Sequence, residues 1–105
     1  MAQCSVYENI NQETRETMPY LVDVQNDFLQ DLQTRVVIPL CPSPPLLEKP
    51  IDSLTPTVAI NGSPYIVLTP QMAGIHISDM GPFVCDLSAF RDRFIRALDF
   101  LFTGF

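Results

Sequence analysis

The side chains able to do chemistry are few, and they are scattered. The one histidine, His76, sits between Ile75 and Ile77. An imidazole works as a general base only when a nucleophile and an orienting group stand beside it, and no such set is legible around it. In an alternating strand His76 would face solvent. Cys4, Cys41 and Cys85 are odd in number and far apart, with no C-x-x-C pair. That spacing argues against a zinc site or a redox dithiol, and for buried reduced thiols. Asp23, between Leu21-Val22 and Val24, reads as an outward, solvated carboxylate rather than an acid catalyst. Gly-rich phosphate loops and G-x-S-x-G are absent from the sequence. Nothing calls for catalysis, a metal or a cofactor. The chemistry on offer is recognition. Thr103-Gly104-Phe105 follows an apolar run, which puts a large ring beside an α-carboxylate. Such an end can fold back on its own domain, or enter a partner's pocket while the carboxylate meets a basic group.

The elements that must position these residues follow from pattern. Ser5 to Tyr7 suits a short strand, and the polar, acidic Glu8 to Thr17 an exposed loop. Tyr20 to Val24 is rich in β-formers, and so is Arg35 to Ile38, which Pro39 is expected to end. Asp27 to Thr34 connects them. Five prolines between Pro42 and Pro56 exclude a helix or central strand there, leaving a long surface loop. Thr57 to Ile60 and Ser63 to Leu68 flank Asn61-Gly62, the signature of a hairpin with a type I′ turn. Pro64 must then lie where no ladder bond is needed. Ile75 to Ile77 reads as a further strand, and Gly81-Pro82 as a turn. From Leu87 the period changes: Leu87, Phe90, Phe94, Leu98 and Leu101 recur at helical spacing. Asp86 or Ser88 can cap this helix, Asp92 and Arg96 have ion-pair spacing, and Gly104 suits the left-handed position after its end.

Length and charge bound the rest. One hundred and five residues suit one domain spanning 1–105, and 47% hydrophobic residues suit a folded one. A domain this small leaves much surface exposed, which dimerisation would cover. Six basic against twelve acidic residues give a net charge of -6, so direct nucleic-acid binding is not expected and a basic protein partner is. The N-terminus has no basic or apolar stretch of the signal-peptide kind, and no apolar run reaches the ~20 residues of a membrane span. A cytoplasmic protein is expected.

Four blocks in order resemble the CcdB family of toxins. Leu21-Val22-Asp23-Val24-Gln25-Asn26-Asp27 is similar to its F-V-D-V-Q-S-D strand, and Arg35-Val36-Val37-Ile38-Pro39-Leu40 to its R-x-V-I-P-L. Leu54 to Ile60 is similar to L-x-P-x-x-x-I. Met72-Ala73, Val84 to Ser88 and a terminal helix ending in Gly104 complete the set. The blocks cover roughly Met18 to Phe105. The resemblance implies a mainly β fold, an SH3-like antiparallel barrel with one C-terminal α-helix, and a homodimer with its two helices side by side. It implies an inhibitor rather than an enzyme: a poison that binds the DNA gyrase A subunit and traps the cleaved complex. A CcdA-type antitoxin would neutralise it, and the pair would repress its own operon. Carried over by position, Asp99, Phe102, Thr103, Gly104 and Phe105, with Phe28 and Leu29, would contact gyrase. Glu8, Asn9, Glu13, Arg15 and Glu16, with Ser43 and Leu46 of the proline-rich loop, would contact antitoxin.

The sequence departs from the family pattern in three places. Thr103 stands where the pattern has Trp, whose ring can hold an arginine for about 0.5–2 kcal/mol. Phe105 replaces a terminal Ile. The first loop is longer and more acidic, which implies a different antitoxin and a chromosomal-type variant. Two other readings stand beside gyrase poisoning. One is a degenerate member that binds antitoxin without toxicity. The other is an endoribonuclease of the MazF/Kid type, which shares the barrel but needs a cationic catalytic groove not evident here.

Overall fold

The computed structural model describes residues 2–43 and 53–104. Among these residues seven strands form: β1 (Ser5–Asn9), β2 (Tyr20–Asp23), β3 (Thr34–Pro42), β4 (Thr57–Ile60), β5 (Ser63–Val67), β6 (Ala73–His76) and β7 (Met80–Asp86). One helix, α1 (Arg91–Thr103), closes the fold. Every pairing is antiparallel, in the order β4-β5-β3-β2-β1-β7, with β6 off this path on β3. The mainly β, half-barrel sheet with a terminal helix matches the expected fold class.

β3 generates the curl. Along one edge it pairs with β2. Along the other it pairs first with β6, through Thr34 to Val37, and then with β5, through Leu40 to Pro42. Pro39 therefore does not end the strand. Its carbonyl accepts from Leu68 N at 2.9 Å. In a strand the N–H of a residue points the same way as its carbonyl, so the missing donor faces the changeover from β6 to β5 and costs no β2 ladder bond. Pro64 is placed by the same logic. It pairs with Ala59 of β4 while its carbonyl accepts from Ser43 N, away from β4.

The β4–β5 hairpin turns on Asn61 and Gly62, at φ 52° and 83°, the two positive values a type I′ turn requires. Gly81 and Pro82, by contrast, make no turn. They lie inside β7, where two register shifts against β1 mark bulges. A Cβ on Gly81 would stand 2.7 Å from both the Glu8 carbonyl and Ile10 Cγ2, so glycine is there for close backbone approach. β7 is an edge strand, the place where a proline is tolerated.

Both faces of the central strands are covered. On one, Val6, Val22 and Ile38 form a row across β1, β2 and β3, packed with Leu40, Val58, Ile60, Val67, Leu87 and Phe94. Phe94 of α1 belongs to this cluster, and Leu98 packs against it. On the other face Tyr7, Leu21, Val37 and Met80 form a second cluster with Ile75 of β6 against it. This second layer overturns the reading of Asp23. The carboxylate does point away from Val22, yet it meets protein rather than water and is fully buried.

The entry to α1 is a 3-10 turn over Ser88–Phe90. Leu87 and Phe90 stand at the N-cap positions of the turn and of α1 without a side-chain cap bond, and Asp86, one residue before the turn's cap, accepts from Ser88 N through Oδ1 at 2.9 Å. At the far end Gly104 takes φ 80° and donates its N–H to the Phe100 carbonyl, a left-handed helix stop. Asp92 and Arg96 do not close the ion pair their spacing suggests: the buried Arg35–Asp23 pair is the one formed among the described residues. No helix of the described residues is long and apolar enough to cross a membrane.

Candidate functional site

The last turns of α1 gather the expected tail residues. Asp99, Phe102, Thr103 and Gly104 are all exposed, Phe102 at 68%. Phe105 lies outside the described residues. Ile95, Asp99 and Phe102 fall at i, i+4 and i+7, so one outward stripe carries two apolar side chains and a carboxylate. Thr103 turns its hydroxyl back to the Asp99 carbonyl, 2.7 Å away. The side chain therefore presents chiefly a methyl group to the outside.

Phe28 and Leu29 sit on a 3-10 turn, Asp27–Leu29, that contains no buried residue; Phe28 is 96% exposed. The turn is nevertheless firmly held. Asn26 Oδ1 caps it by accepting from Phe28 N at 2.8 Å. Asp27 Oδ1 accepts from Gln3 N at 2.7 Å, and Gln3 Oε1 in turn accepts from Arg91 Nε at 3.0 Å. These links tie the turn to the first residue of α1. The tail leaves from the opposite end of the helix, roughly 18 Å further along at ~1.5 Å per residue.

Four of the residues expected to meet antitoxin come together. Glu8, Asn9, Arg15 and Glu16 line one open cleft with Tyr20. The loop that builds it is organised by Asn9, whose Nδ2 donates to Thr14 Oγ1 and the Met18 carbonyl while Oδ1 accepts from Asn11 N. Asn9 is thus a framework residue, buried beneath the cleft. Glu13 stands exposed on the turn above it, its N–H bonded to Asn11 Oδ1. Ser43 lies apart at the end of β3, with the edge-to-face pair Tyr20–Tyr65, 5.2 Å between centroids, along the way. Leu46 lies outside the described residues.

What the sequence did not disclose is buried chemistry. Arg35 Nε donates to Asp23 Oδ2 at 2.8 Å, and Nη2 lies 2.7 Å from the same oxygen, with both side chains sealed from water. Asp23 Oδ1 accepts from Gln25 N at 2.9 Å. Burial pushes the Asp23 carboxyl up; the hydrogen bond from Arg35, the Gln25 N–H and the Arg35 charge pull it down. Two charges two positions apart across neighbouring strands were the available signal, since Asp23 registers with Val37.

His76 is exposed at the end of β6. Its Nδ1 accepts from Ser78 N at 3.1 Å and lies 2.7 Å from Ser78 Oγ, capping a 3-10 turn. Cys4 is buried at φ 72°, and burial pushes its thiol up to about 11. Cys41 and Cys85 are half-buried and raised for the same reason. No group of three or more His, Cys, Asp or Glu among the described residues could hold a metal. Arg93 lies 5.0 Å over the Phe90 ring and donates to the Thr57 carbonyl, pinning α1 to β4.

A family model described as CcdB protein matches residues 3–104. The match runs through the curled sheet and along α1 to Gly104. The chain belongs to the CcdB family, whose members are the toxin components of toxin–antitoxin pairs.

Proposed function

We propose that the protein binds the A subunit of DNA gyrase with the last turn of α1 and the Phe28–Leu29 turn, and traps gyrase on cleaved DNA. A CcdA-type antitoxin neutralises it, using the Glu8–Arg15–Glu16 cleft and the region around Ser43. The observation that carries this reading is the exposure of Phe102 beside Asp99 at a helix end. A large ring left in water next to a carboxylate suits a partner that supplies an apolar pocket and a cation. The net charge of -6 favours encounter with a basic protein surface. Ile95 on the same stripe supports a homodimer with its helices side by side. The role is that of an inhibitor acting in the cytoplasm, and transcriptional control belongs to the toxin–antitoxin complex.

Titration calorimetry of the protein into gyrase A tests the binding step. Saturable binding is expected, with Phe102→Ala losing at least tenfold, the scale of an anchor residue worth ~1.4 kcal/mol or more. Absence of heat and of complex by size-exclusion chromatography counts against the reading.

A second reading has one observation in its favour. Thr103 offers no ring and directs its hydroxyl inward, so the tail lacks the stacking surface of the family pattern. On that reading the protein binds antitoxin but leaves gyrase alone. Unimpaired growth after induction without antitoxin, together with tight antitoxin binding, would distinguish it.

A further inference from the structure

Phe28 poses a physical problem. It is 96% exposed, on a turn with no buried residue. Exposed turns without packing are normally where a chain is loosest. This one is held from inside the protein, by a buried amide. Gln25, only 7% exposed, accepts from Val36 N through Oε1 at 3.0 Å and donates from Nε2 to the Leu29 carbonyl at 3.1 Å. Its own N–H is bonded to Asp23 Oδ1, and Asp23 is locked by Arg35. A continuous relay therefore runs from a buried guanidinium, through a carboxylate and a side-chain amide, to the backbone of the turn that displays Phe28.

We infer that Gln25, fixed by the Arg35–Asp23 pair, is a positioning residue that pre-organises the Phe28–Leu29 turn for a protein partner. An apolar side chain held in its bound position spends less ordering entropy on docking than one on a loose loop. The amide of Gln25 suits the task because it bonds two backbone groups of opposite kind at once, the Val36 donor on β3 and the Leu29 acceptor on the turn. Asn26 adds a second hold from the surface side, through Phe28 N. The charged pair sits behind Gln25 and touches nothing that a partner could reach, so its effect on binding is transmitted only through the turn. The inference rests on the gyrase reading for its partner, but the ordering of the turn stands apart from it.

The test uses Gln25→Met, which keeps the length and removes both hydrogen bonds, and Asn26→Ala, an exposed change that leaves the core intact. Backbone amide hydrogen exchange reads the turn directly. In the wild type Phe28 and Leu29 amides are expected to be protected, and Gln25→Met should lower their protection at least tenfold while the β2 and β3 amides, apart from Val36, whose acceptor the change removes, keep theirs. Equal protection in wild type and variant overturns the inference, whatever the partner. Binding to gyrase A supplies the second arm. Gln25→Met should weaken it about tenfold, mainly through a slower on-rate. In a Phe28→Ala background the same change should have no further effect, because there is no anchor left to position. Undiminished loss in that background shows a merely structural role and also overturns it. If Gln25→Met does not fold, Gln25→Glu, which keeps the acceptor for Val36 N and removes the donor to the Leu29 carbonyl, carries the same comparisons, with Asn26→Ala as the control that removes only the surface hold on Phe28 N. Wild-type protein that fails to bind gyrase rejects the partner, and the exchange arm still decides the positioning.

Discussion

Arg35 and Asp23 meet inside the protein, Nε to Oδ2 at 2.8 Å, with 1% and 0% of their side chains exposed. The pair joins β2 to β3 diagonally, since Asp23 registers with Val37 and Arg35 stands two residues before Val37 in β3. Taking two charges out of water is expensive, and their mutual attraction repays it only while both are present. The pair is therefore better understood as a device that fixes what surrounds it than as a net source of stability.

Removing one member should be severe. Asp23→Ala leaves the Arg35 guanidinium buried without its counter-charge, and a loss of about 3–5 kcal/mol is expected in urea unfolding. Replacing both, as Asp23→Leu with Arg35→Met, should recover much of that loss. A single variant within about 1 kcal/mol of wild type would show that water reaches the site.

Gly81→Ala should destabilise by about 1–3 kcal/mol, as an overpacked position does. The new Cβ would press on the Glu8 carbonyl at 2.7 Å, which is backbone and cannot swing aside. Thermal unfolding checks this. An unchanged midpoint would mean that β7 slides on β1 more readily than its two bulges suggest.

The Cys4 thiol gives an alkaline signature. Its proton is held to about 11 in the folded protein, against 9.0 for an ordinary thiol. Between those values the unfolded chain binds fewer protons than the folded one, so stability falls as pH rises. The contribution is complete below pH 9 and is lost through pH 11. Urea midpoints measured at pH 8 and pH 10 should drop more in wild type than in Cys4→Ala. In native protein at pH 8 iodoacetamide should leave Cys4 unmodified, since the thiolate is the nucleophile.

Fold and function should separate at the end of α1. Thr103 and Gly104 are exposed and outside the two buried clusters, so deleting Thr103 to Phe105 should change stability by about 1 kcal/mol or less, the scale of a lost helix cap. It should abolish gyrase binding. Gly104→Ala forces a side chain into φ 80°, at a cost of about 1 kcal/mol confined to the last turn. Circular dichroism and calorimetric binding on the same samples check both statements. Global unfolding of the truncated chain would contradict them.

Much of this was legible in the residues, for identifiable reasons. Asn61-Gly62 announced the hairpin because few other pairs accept two positive φ values. The spacing of Phe94, Ala97 and Leu98 announced α1 because a helix buries one stripe. Pro39 and Gly81-Pro82 misled, because a proline or glycine signals a break only when the missing hydrogen bond or side chain is needed there. At Pro39 the donor faces a change of partner strand, and at Gly81 a bulge at a sheet edge absorbs the irregularity. Asp23 misled because alternation tells which face a residue is on, not whether that face is covered. Of the residues proposed to bind partners, the exposure of Phe28 and Phe102 followed the resemblance, while the buried Gln25 beneath the Phe28 turn had no local signal. Its role depends on where Leu29 and Val36 meet in space.

The most direct test of the central claim is a gyrase cleavage assay with supercoiled DNA, ATP and the purified protein, run with and without a CcdA-type antitoxin peptide. The account predicts linear DNA on detergent and protease treatment, rising with protein concentration and suppressed by the antitoxin, with Phe102→Ala strongly impaired. Supercoiling that proceeds unhindered at high protein concentration, with no linear product, would contradict it and leave a CcdB-fold protein whose target is not gyrase.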